Sequence, residues 1–392
     1  MSIEHIASGD IADWPKRVVF GQGSTARLGE IVASFGKSRA MVLCGATVAH
    51  GPMLASVKAG LGGAFAGVFS GVRSHTPFED VEKAMSAIQA AGADCVISVG
   101  GGSAIDAGKG VVLLSAAEGP LESFAIDYGK TRSMARKRLG RNGMCHIAVP
   151  TTAGSASDVM PTAGIRDKRL PKKLLFWDDR LVPDATVVDP EMAVHADAGL
   201  TAATGMTALA RAIECLYSAH RHPISTALAL HSARLLRTAL PRSVVAPGDL
   251  AARADCQMAA LMSGTASINA MVSVVHAIGH VVGARYGLQH GISHAMLLGP
   301  SLRRLLPSIG RDAAFVYEAL GCNPATATVD DAAQALHDVL HSLPLPKRLR
   351  DVGVKDSELN TIAADTMDDY MMANLPRPML VDEVADLLRD GW

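Results

Sequence analysis

Short apolar runs alternate with amphipathic stretches through the first half of the chain. Residues 39–44 (RAMVLC), 94–99 (DCVISV), 146–149 (HIAV) and 185–188 (ATVV) read as buried strands, each too short for a helix. Between the first two, Val81, Ala84, Met85 and Ile88 recur at helical spacing, which predicts a helix over 80–91 with one apolar face. Strands alternating with helices predict a parallel sheet covered on both faces. From about Leu200 the apolar spacing is helical and the strand-like runs stop. The boundary falls near Asp189 and Pro190, giving an α/β domain over 1–190 and an all-α domain over 191–392. No Gly/Ser-rich linker separates them, which predicts close packing, and no internal repeat is present.

Composition narrows the function. The chain has 392 residues, 49% hydrophobic and 19% charged, enough for a core in each half and too apolar for a disordered chain. Lys plus Arg is 37 and Asp plus Glu is 38, a net charge of −1 that argues against nucleic acid or an anionic membrane as partner. No apolar run approaches the ~18 residues of a membrane span. The acid-bearing start of the chain does not read as a secretory signal. Six scattered Cys without a CxxC pair read as reduced thiols. Together these features predict a cytoplasmic protein. Residues 130–141 (KTRSMARKRLGR) hold six basic residues in twelve. They read as a solvated loop, or as a docking patch for an acidic partner or a cofactor phosphate.

The chemistry starts at two turns. Gly100, Gly101, Gly102 and Ser103 follow a strand and open a helix. Glycine suits a backbone that adopts positive φ or approaches a ligand closely. Ser103 is expected to cap the helix, whose free N–H groups face an anion. The turn therefore reads as a pyrophosphate cradle, or as a plain tight strand-to-helix connection. It is not GxGxxG, so an ordinary Rossmann enzyme is not implied. The second turn, residues 150–155 (PTTAGS), offers Thr151, Thr152 and Ser155.

Taken together, GGGSAIDAGK (residues 100–109) and PTTAGSASD (residues 150–158) resemble the paired motifs of the iron-containing, or group III, alcohol dehydrogenases. That family belongs to a superfamily with glycerol dehydrogenase and dehydroquinate synthase. The likeness extends along the chain. FGQG (20–23) resembles the family's opening hairpin. LTAATGMTALARAIECLYSA (200–219), HPISTALAL (222–230), VVHAIGHVVGARYGLQHG (274–291) and LPRP (375–378) resemble its helical domain. The fold so implied is dehydroquinate synthase-like: a Rossmann-like α/β domain followed by an all-α domain.

The resemblance implies a nicotinamide cofactor, NAD(P), between the domains. Its diphosphate would sit on the Gly100 turn at Gly101, Gly102 and Ser103. Asp106 matches the motif's acid. Thr151, Thr152 and Ser155 would approach the adenine and ribose. Thr162 and Lys173 stand where the family reaches the ribose and nicotinamide. Many relatives carry Asp after the first strand, which repels a 2′-phosphate. Here that residue is Gly45, so NADP(H) is expected to be tolerated or preferred.

The resemblance also implies a metal on one Asp and three His. The helical pattern that supplies the first two reads GMTALARAIE here, with Thr207 for the Asp and Arg211 for the first His. Threonine is a poor divalent-metal ligand and arginine is none. The other two ligands are kept as His276 and His290, and His280 lies one turn beyond His276. By spacing alone, His276 and His280 suit either a metal or a structural role. The expected site holds no metal, although His294 offers a replacement ligand.

Maleylacetate reductases are a metal-free branch of the family. WPKRVVFGQG (14–23), SHTP (74–77) and HGISH (290–294) lean towards them. Arg211, Asp106, PTTAGSASD and residues 172–190 lean away. In a metal-free reading Arg211, His276, His280 and His290 are the catalytic candidates. Arginine would stabilise an oxyanion and a protonated histidine would supply the proton, which favours an anionic oxo-acid substrate. Alternatively, Arg211 pairs with an acid such as Glu214. Competing readings are a non-redox or internally redox enzyme on this fold, a metal-dependent enzyme with altered ligands, and a non-catalytic relative. A homodimer is expected from the family.

Overall fold

The computed structural model describes residues 16–126, 137–170 and 173–392. These fall into two compact units that meet in sequence at His195 and Ala196.

The first unit runs β1 (Val18–Phe20), α1 (Leu28–Ser34), β2 (Ala40–Cys44), α2 (Ala46–Ala49), α3 (Pro52–Leu61), β3 (Phe65–Phe69), α4 (Phe78–Ala91), β4 (Cys95–Gly100), α5 (Gly102–Ala116), β5 (Cys145–Pro150), β6 (Thr162–Ile165), β7 (Leu174–Trp177), β8 (Ala185–Val188) and α6 (Pro190–Ala193). Six strands form one parallel sheet in the order β1-β8-β5-β4-β2-β3. β6 and β7 form a separate antiparallel pair. Strands β2, β4, β5 and β8 are buried at every position, as apolar runs in a doubly covered sheet require. Alternation sorts their side chains. Val42 and Ile97 face a layer with Ile31, Val32 and Val57, while Met41, Leu43 and Val96 face Val81, Ala84, Ile88 and Val111.

The four apolar runs are strands, as the pattern predicts. β1, β3, β6 and β7 have no comparable signal. β1 has three residues, and Gly67 with φ +154 interrupts β3. Helix α4 starts at Phe78 and stops where Gly92 turns left-handed at φ 58. FGQG does not form a hairpin within the described residues. β1 runs parallel to β8, and a preceding hairpin partner would fall in residues 1–15, outside them.

Connectivity makes a crevice. The chain passes from β2 to β3 on one side, then returns to place β4 on the other side of β2. The direction of winding thus reverses between β2 and β4, where open α/β sheets bind ligands at their carboxyl edge. Gly45 leaves β2 and Gly101 leaves β4 at that edge. Gly100 also lies opposite Pro150 of β5, and the Thr151 N–H donates to the Gly100 carbonyl at 3.1 Å.

The second unit is helical among its described residues: α7 (Ala198–Tyr217), α8 (Pro223–Val245), α9 (Leu250–Ala270), α10 (Val274–Tyr286), α11 (His290–Leu305), α12 (Ala313–Ala319), α13 (Val329–His341), α14 (Leu359–Thr366) and α15 (Val381–Gly391). Asp197 caps α7 by accepting the Leu200 N–H at 2.7 Å. α7 packs on α8, α9 and α11, so most of its circumference is buried. The chain turns by 106° between α9 and α10 through Met271, whose φ is 62°. This break opens the start of α10 towards α7. Among the described residues no single helix is long and apolar enough to cross a membrane.

Candidate active site

The two turns of the α/β unit are packed on each other. Gly100 has φ +148, and a Cβ there would meet Ala104 Cβ at 2.8 Å, so only glycine fits. A Cβ on Gly102 would come 2.9 Å from Ser155 Cβ, and one on Gly101 would touch Thr152 Oγ1 at 3.4 Å. The glycines therefore let Thr152 and Ser155 lie against the start of α5. The first N–H groups of α5 lack intrahelical acceptors, which makes the start of this helix, with Thr152 and Ser155 against it, a candidate anion site.

Ser103 does not cap α5. The N-cap position is Gly101, and no side chain caps there. Instead the Ser103 Oγ accepts the His75 N–H at 3.1 Å, and the Thr76 hydroxyl donates to the Ser103 carbonyl at 3.1 Å. His75 and Thr76 both hold positive φ, at 64° and 50°, an unusual strain for non-glycine residues. The SHTP segment is thus a strap laid over the glycine turn.

Asp106 ties α5 to β6 by accepting the Gly164 N–H at 3.0 Å on Oδ2. Its Oδ1 is buried without a partner, an acceptor suited to a ligand hydroxyl such as that of a ribose. Lys109 is fully buried and donates to the Met160 and Thr162 carbonyls at 2.6 and 2.7 Å. Burial lowers its pKa to about 8, opposed by Asp106 and Asp158. The Lys173 side chain lies along Gly164, where a Cβ would meet its Nζ at 2.6 Å. Asp106 and Lys173 therefore meet at Gly164 in the β6–β7 corner, while Thr162 opens β6 opposite Trp177 with its carbonyl held by Lys109. Gly45 is extended, and a Cβ there would come 3.1 Å from the Val72 carbonyl. Of the basic stretch, residues 130–136 lie outside the described residues. Lys137 donates to the Glu118 carbonyl and Arg141 to the Ser115 carbonyl, while Arg138 pairs with Asp179, so this end is tied down.

The helical unit gathers the histidines. α11 crosses α7 at Gly291, which lies directly against the Ala203 carbonyl. Ala203, Thr207 and Arg211 share one face of α7 by their four-residue spacing. His276 and His280 come from α10, His290 and His294 from α11. His276 and His294 have ring centroids 4.1 Å apart, His280 and His290 5.6 Å, and His290 and His294 5.8 Å. Gly279 clears room for the His294 ring, since a Cβ would meet its Nε2 at 2.6 Å. The Arg211 Nη1 donates to Ser263 Oγ at 3.3 Å, and Arg211 is only 6% exposed.

Each α10 histidine is held by a carboxylate. His276 Nδ1 bonds Glu214 Oε2, and His280 Nδ1 bonds Asp369 Oδ2 at 2.7 Å. Burial pushes the His276 pKa well below the usual histidine value, with Arg211, His280 and His290 adding to the shift. Burial does the same for His294, reinforced by His276, His290, His280 and Arg211. Both imidazoles are therefore neutral. Burial raises the Glu214 pKa to about 7, opposed by bonds from Val275 and Ser273. His276 Nε2 and both nitrogens of His294 are buried without a partner.

This donor set does not fit the family's divalent ion. Thr207 turns its hydroxyl back to the Ala203 carbonyl at 3.2 Å. Arg211 brings a fixed cation to the neighbourhood of His276 and His294. The carboxylates are spent on the outer nitrogens of His276 and His280. Among the described residues no group of three or more His, Cys, Asp and Glu is arranged to hold a metal.

Sequence reasoning missed Glu214 as the partner of His276, and also Asp369, Ser263 and Ser273. An acid inside the apolar run AIECLY was a signal for Glu214. Asp369 is 89 residues from His280 and had none.

Comparisons with known proteins agree with this architecture. Residues 15–190 match the family described as iron-containing alcohol dehydrogenase. Residues 201–392 match the C-terminal part of the Fe-containing alcohol dehydrogenase family. A 1,3-propanediol dehydrogenase of Citrobacter freundii is 30% identical over 329 residues, 83% of each chain. A maleylacetate reductase of Rhizobium sp. is 32% identical over 251 residues, 64% of this chain and 62% of that protein. A solved 1,3-propanediol oxidoreductase superposes with TM-score 0.89 at 27% identity, covering 98% of this chain and 100% of the other.

Proposed function

The chain belongs to the iron-containing alcohol dehydrogenase family, and within it we propose an NAD(P)-dependent oxidoreductase that works without the family's metal on an anionic, oxo-acid-like substrate. Residues 1–190 bind the dinucleotide and residues 191–392 carry the substrate chemistry. The relatives include dehydrogenases of alcohols and a reductase of maleylacetate, an oxo-dicarboxylate.

One observation carries the reading: a buried arginine stands near His276 and His294, two buried neutral imidazoles of which His276 Nε2 and both His294 nitrogens have no partner. Unsatisfied buried polar atoms are costly, so they mark where a polar ligand belongs. A guanidinium offers fixed charge and paired donors to a carboxylate or an alkoxide. Arg211 thus stabilises the charge that a metal would otherwise stabilise. His276 and His294 hold the reacting oxygen, while His280, half-buried beside Asp369, and His290 border it.

The cofactor, when bound, supplies or accepts the hydride. This chain's part in holding it falls to the N–H groups of Gly102 and Ser103, the hydroxyls of Thr151, Thr152 and Ser155, and the β6–β7 corner with Asp106, Thr162 and Lys173. Gly45 leaves room beside the ribose, which supports NADP(H) as well as NAD(H). A homodimer in the cytoplasm completes the proposal, and light scattering tests the oligomeric state.

The test is elemental analysis of protein purified without chelators, joined to turnover with oxo acids and with simple aldehydes. Metal-free protein that reduces oxo acids faster supports the reading. About one tightly held ion per chain would mean that His276, His290 and His294 rebuild a metal site, and would overturn it.

A further inference from the structure

We propose that Glu214 is the positioning residue that fixes the tautomer of His276 and makes its Nε2 the acceptor for the substrate hydroxyl. The inference rests on the reading above, in which His276 handles the reacting oxygen.

Glu214 is wholly buried on α7. Its Oε1 accepts the Ser273 N–H at 3.2 Å, the Ser273 hydroxyl at 2.9 Å and the Val275 N–H at 2.9 Å. Those N–H groups are the otherwise unsatisfied start of α10, where no N-cap side chain serves. The carboxylate of α7 therefore closes the end of α10, which the turn at Met271 has opened towards it. With Oε1 taking those three donors and the Tyr217 hydroxyl at 3.5 Å, Oε2 is left to His276 Nδ1. Above about pH 7, where Glu214 is ionised, its carboxylate only accepts, so Nδ1 carries the hydrogen. The neutral ring then bears its lone pair on Nε2, the atom without a partner.

His294 lies beside it with both nitrogens unpartnered. A neutral imidazole has one donor and one acceptor. An alcohol oxygen meets both needs, accepting from a His294 N–H and donating its own hydrogen to His276 Nε2. In the oxidation direction the substrate O–H bond breaks and the proton joins Nε2. The electron pair of that bond becomes the carbonyl π bond as the hydride leaves to the oxidised nicotinamide. The imidazolium so formed is balanced by Glu214, as a buried carboxylate balances histidine in other acid–base dyads. Reduction runs the same steps in reverse.

The test uses full-length protein labelled with 15N-histidine, with His276 assigned by the signals lost in His276→Asn. Long-range proton–nitrogen NMR is expected to show hydrogen on Nδ1 and none on Nε2. In Glu214→Gln the amide oxygen keeps the three donors and the NH2 faces His276, so the hydrogen is expected to move to Nε2. The kcat should fall about tenfold or more with KM little changed, because orientation of an acid–base group is lost while binding is kept. A wild-type His276 with hydrogen on Nε2, or an unchanged tautomer in Glu214→Gln, overturns the inference. If Glu214→Gln does not fold, neutron diffraction from wild-type crystals locates the hydrogen and decides the matter. Full turnover in His276→Asn would instead overturn the proposed function, whatever the tautomer.

Discussion

Gly102 and Ser155 are in contact across the two turns: a Cβ added to Gly102 would stand 2.9 Å from Ser155 Cβ. The glycine is therefore required first by the second turn and only through it by a ligand. Gly102→Ala should push Ser155 away and weaken dinucleotide binding by about tenfold, the scale of one misplaced charge-assisted contact. Gly102→Ala with Ser155→Gly should recover much of it. Titration of NADPH fluorescence measures both, and no loss in the single variant would refute the packing argument.

In the proposed cofactor site, an acidic side chain at Gly45 would face a 2′-phosphate. Gly45→Asp should raise the Kd for NADPH at least tenfold, through like-charge repulsion at short range, and leave NADH nearer its starting value. Calorimetry with the two cofactors reads the ratio directly. An unchanged ratio would remove Gly45 from cofactor choice.

Arg211→Ala should cost roughly 10²–10³ in kcat/KM for an oxo acid, the scale of losing one oriented oxyanion donor. A neutral aldehyde should lose less. Equal losses on both would mean that the guanidinium does not read the substrate's charge. Arg211→His would restore an imidazole at that position, and metal analysis of that variant shows whether an ion returns.

His146 predicts an acid limit. It is fully buried, bonds Ser98 Oγ at 2.7 Å, and has its pKa lowered to about 3, chiefly by burial and then by Lys109 and Lys16. The unfolded chain takes up that proton near the ordinary value of ~6.5. Between the two values the unfolded state binds more protons, so stability is full above about pH 6.5 and falls as pH drops towards 3. The loss from this group is on the order of 4 kcal/mol. Urea unfolding from pH 7 to 4 should show His146→Gln losing less stability than the wild type. Parallel curves would assign the acid sensitivity to other groups.

Much of this is legible in the sequence. Residues 39–44, 94–99, 146–149 and 185–188 declare themselves because a strand buried on both faces must be apolar throughout. The glycine turn declares itself because a positive φ cannot be disguised by another residue. β1 and β3 did not, since edge strands need only partial burial and Phe20 is 66% exposed. The cap assigned to Ser103 failed for a related reason. Its hydroxyl meets a distant strap at His75, and nothing in the local sequence records that meeting.

By itself the sequence determined the two-part architecture and the glycine turn, and it set Thr207 and Arg211 where the resemblance leads one to expect metal ligands. Those follow from residue type and local spacing, which the chain carries along its length. The tertiary structure alone decided which partner each side chain meets. It gave Glu214 to His276 and Asp369 to His280, and left His276 Nε2 and both nitrogens of His294 buried and unpaired. Hydrogen bonds act over about 3 Å, whereas the residues that make them lie 62 and 89 positions apart, so only the packing of helices could bring them together.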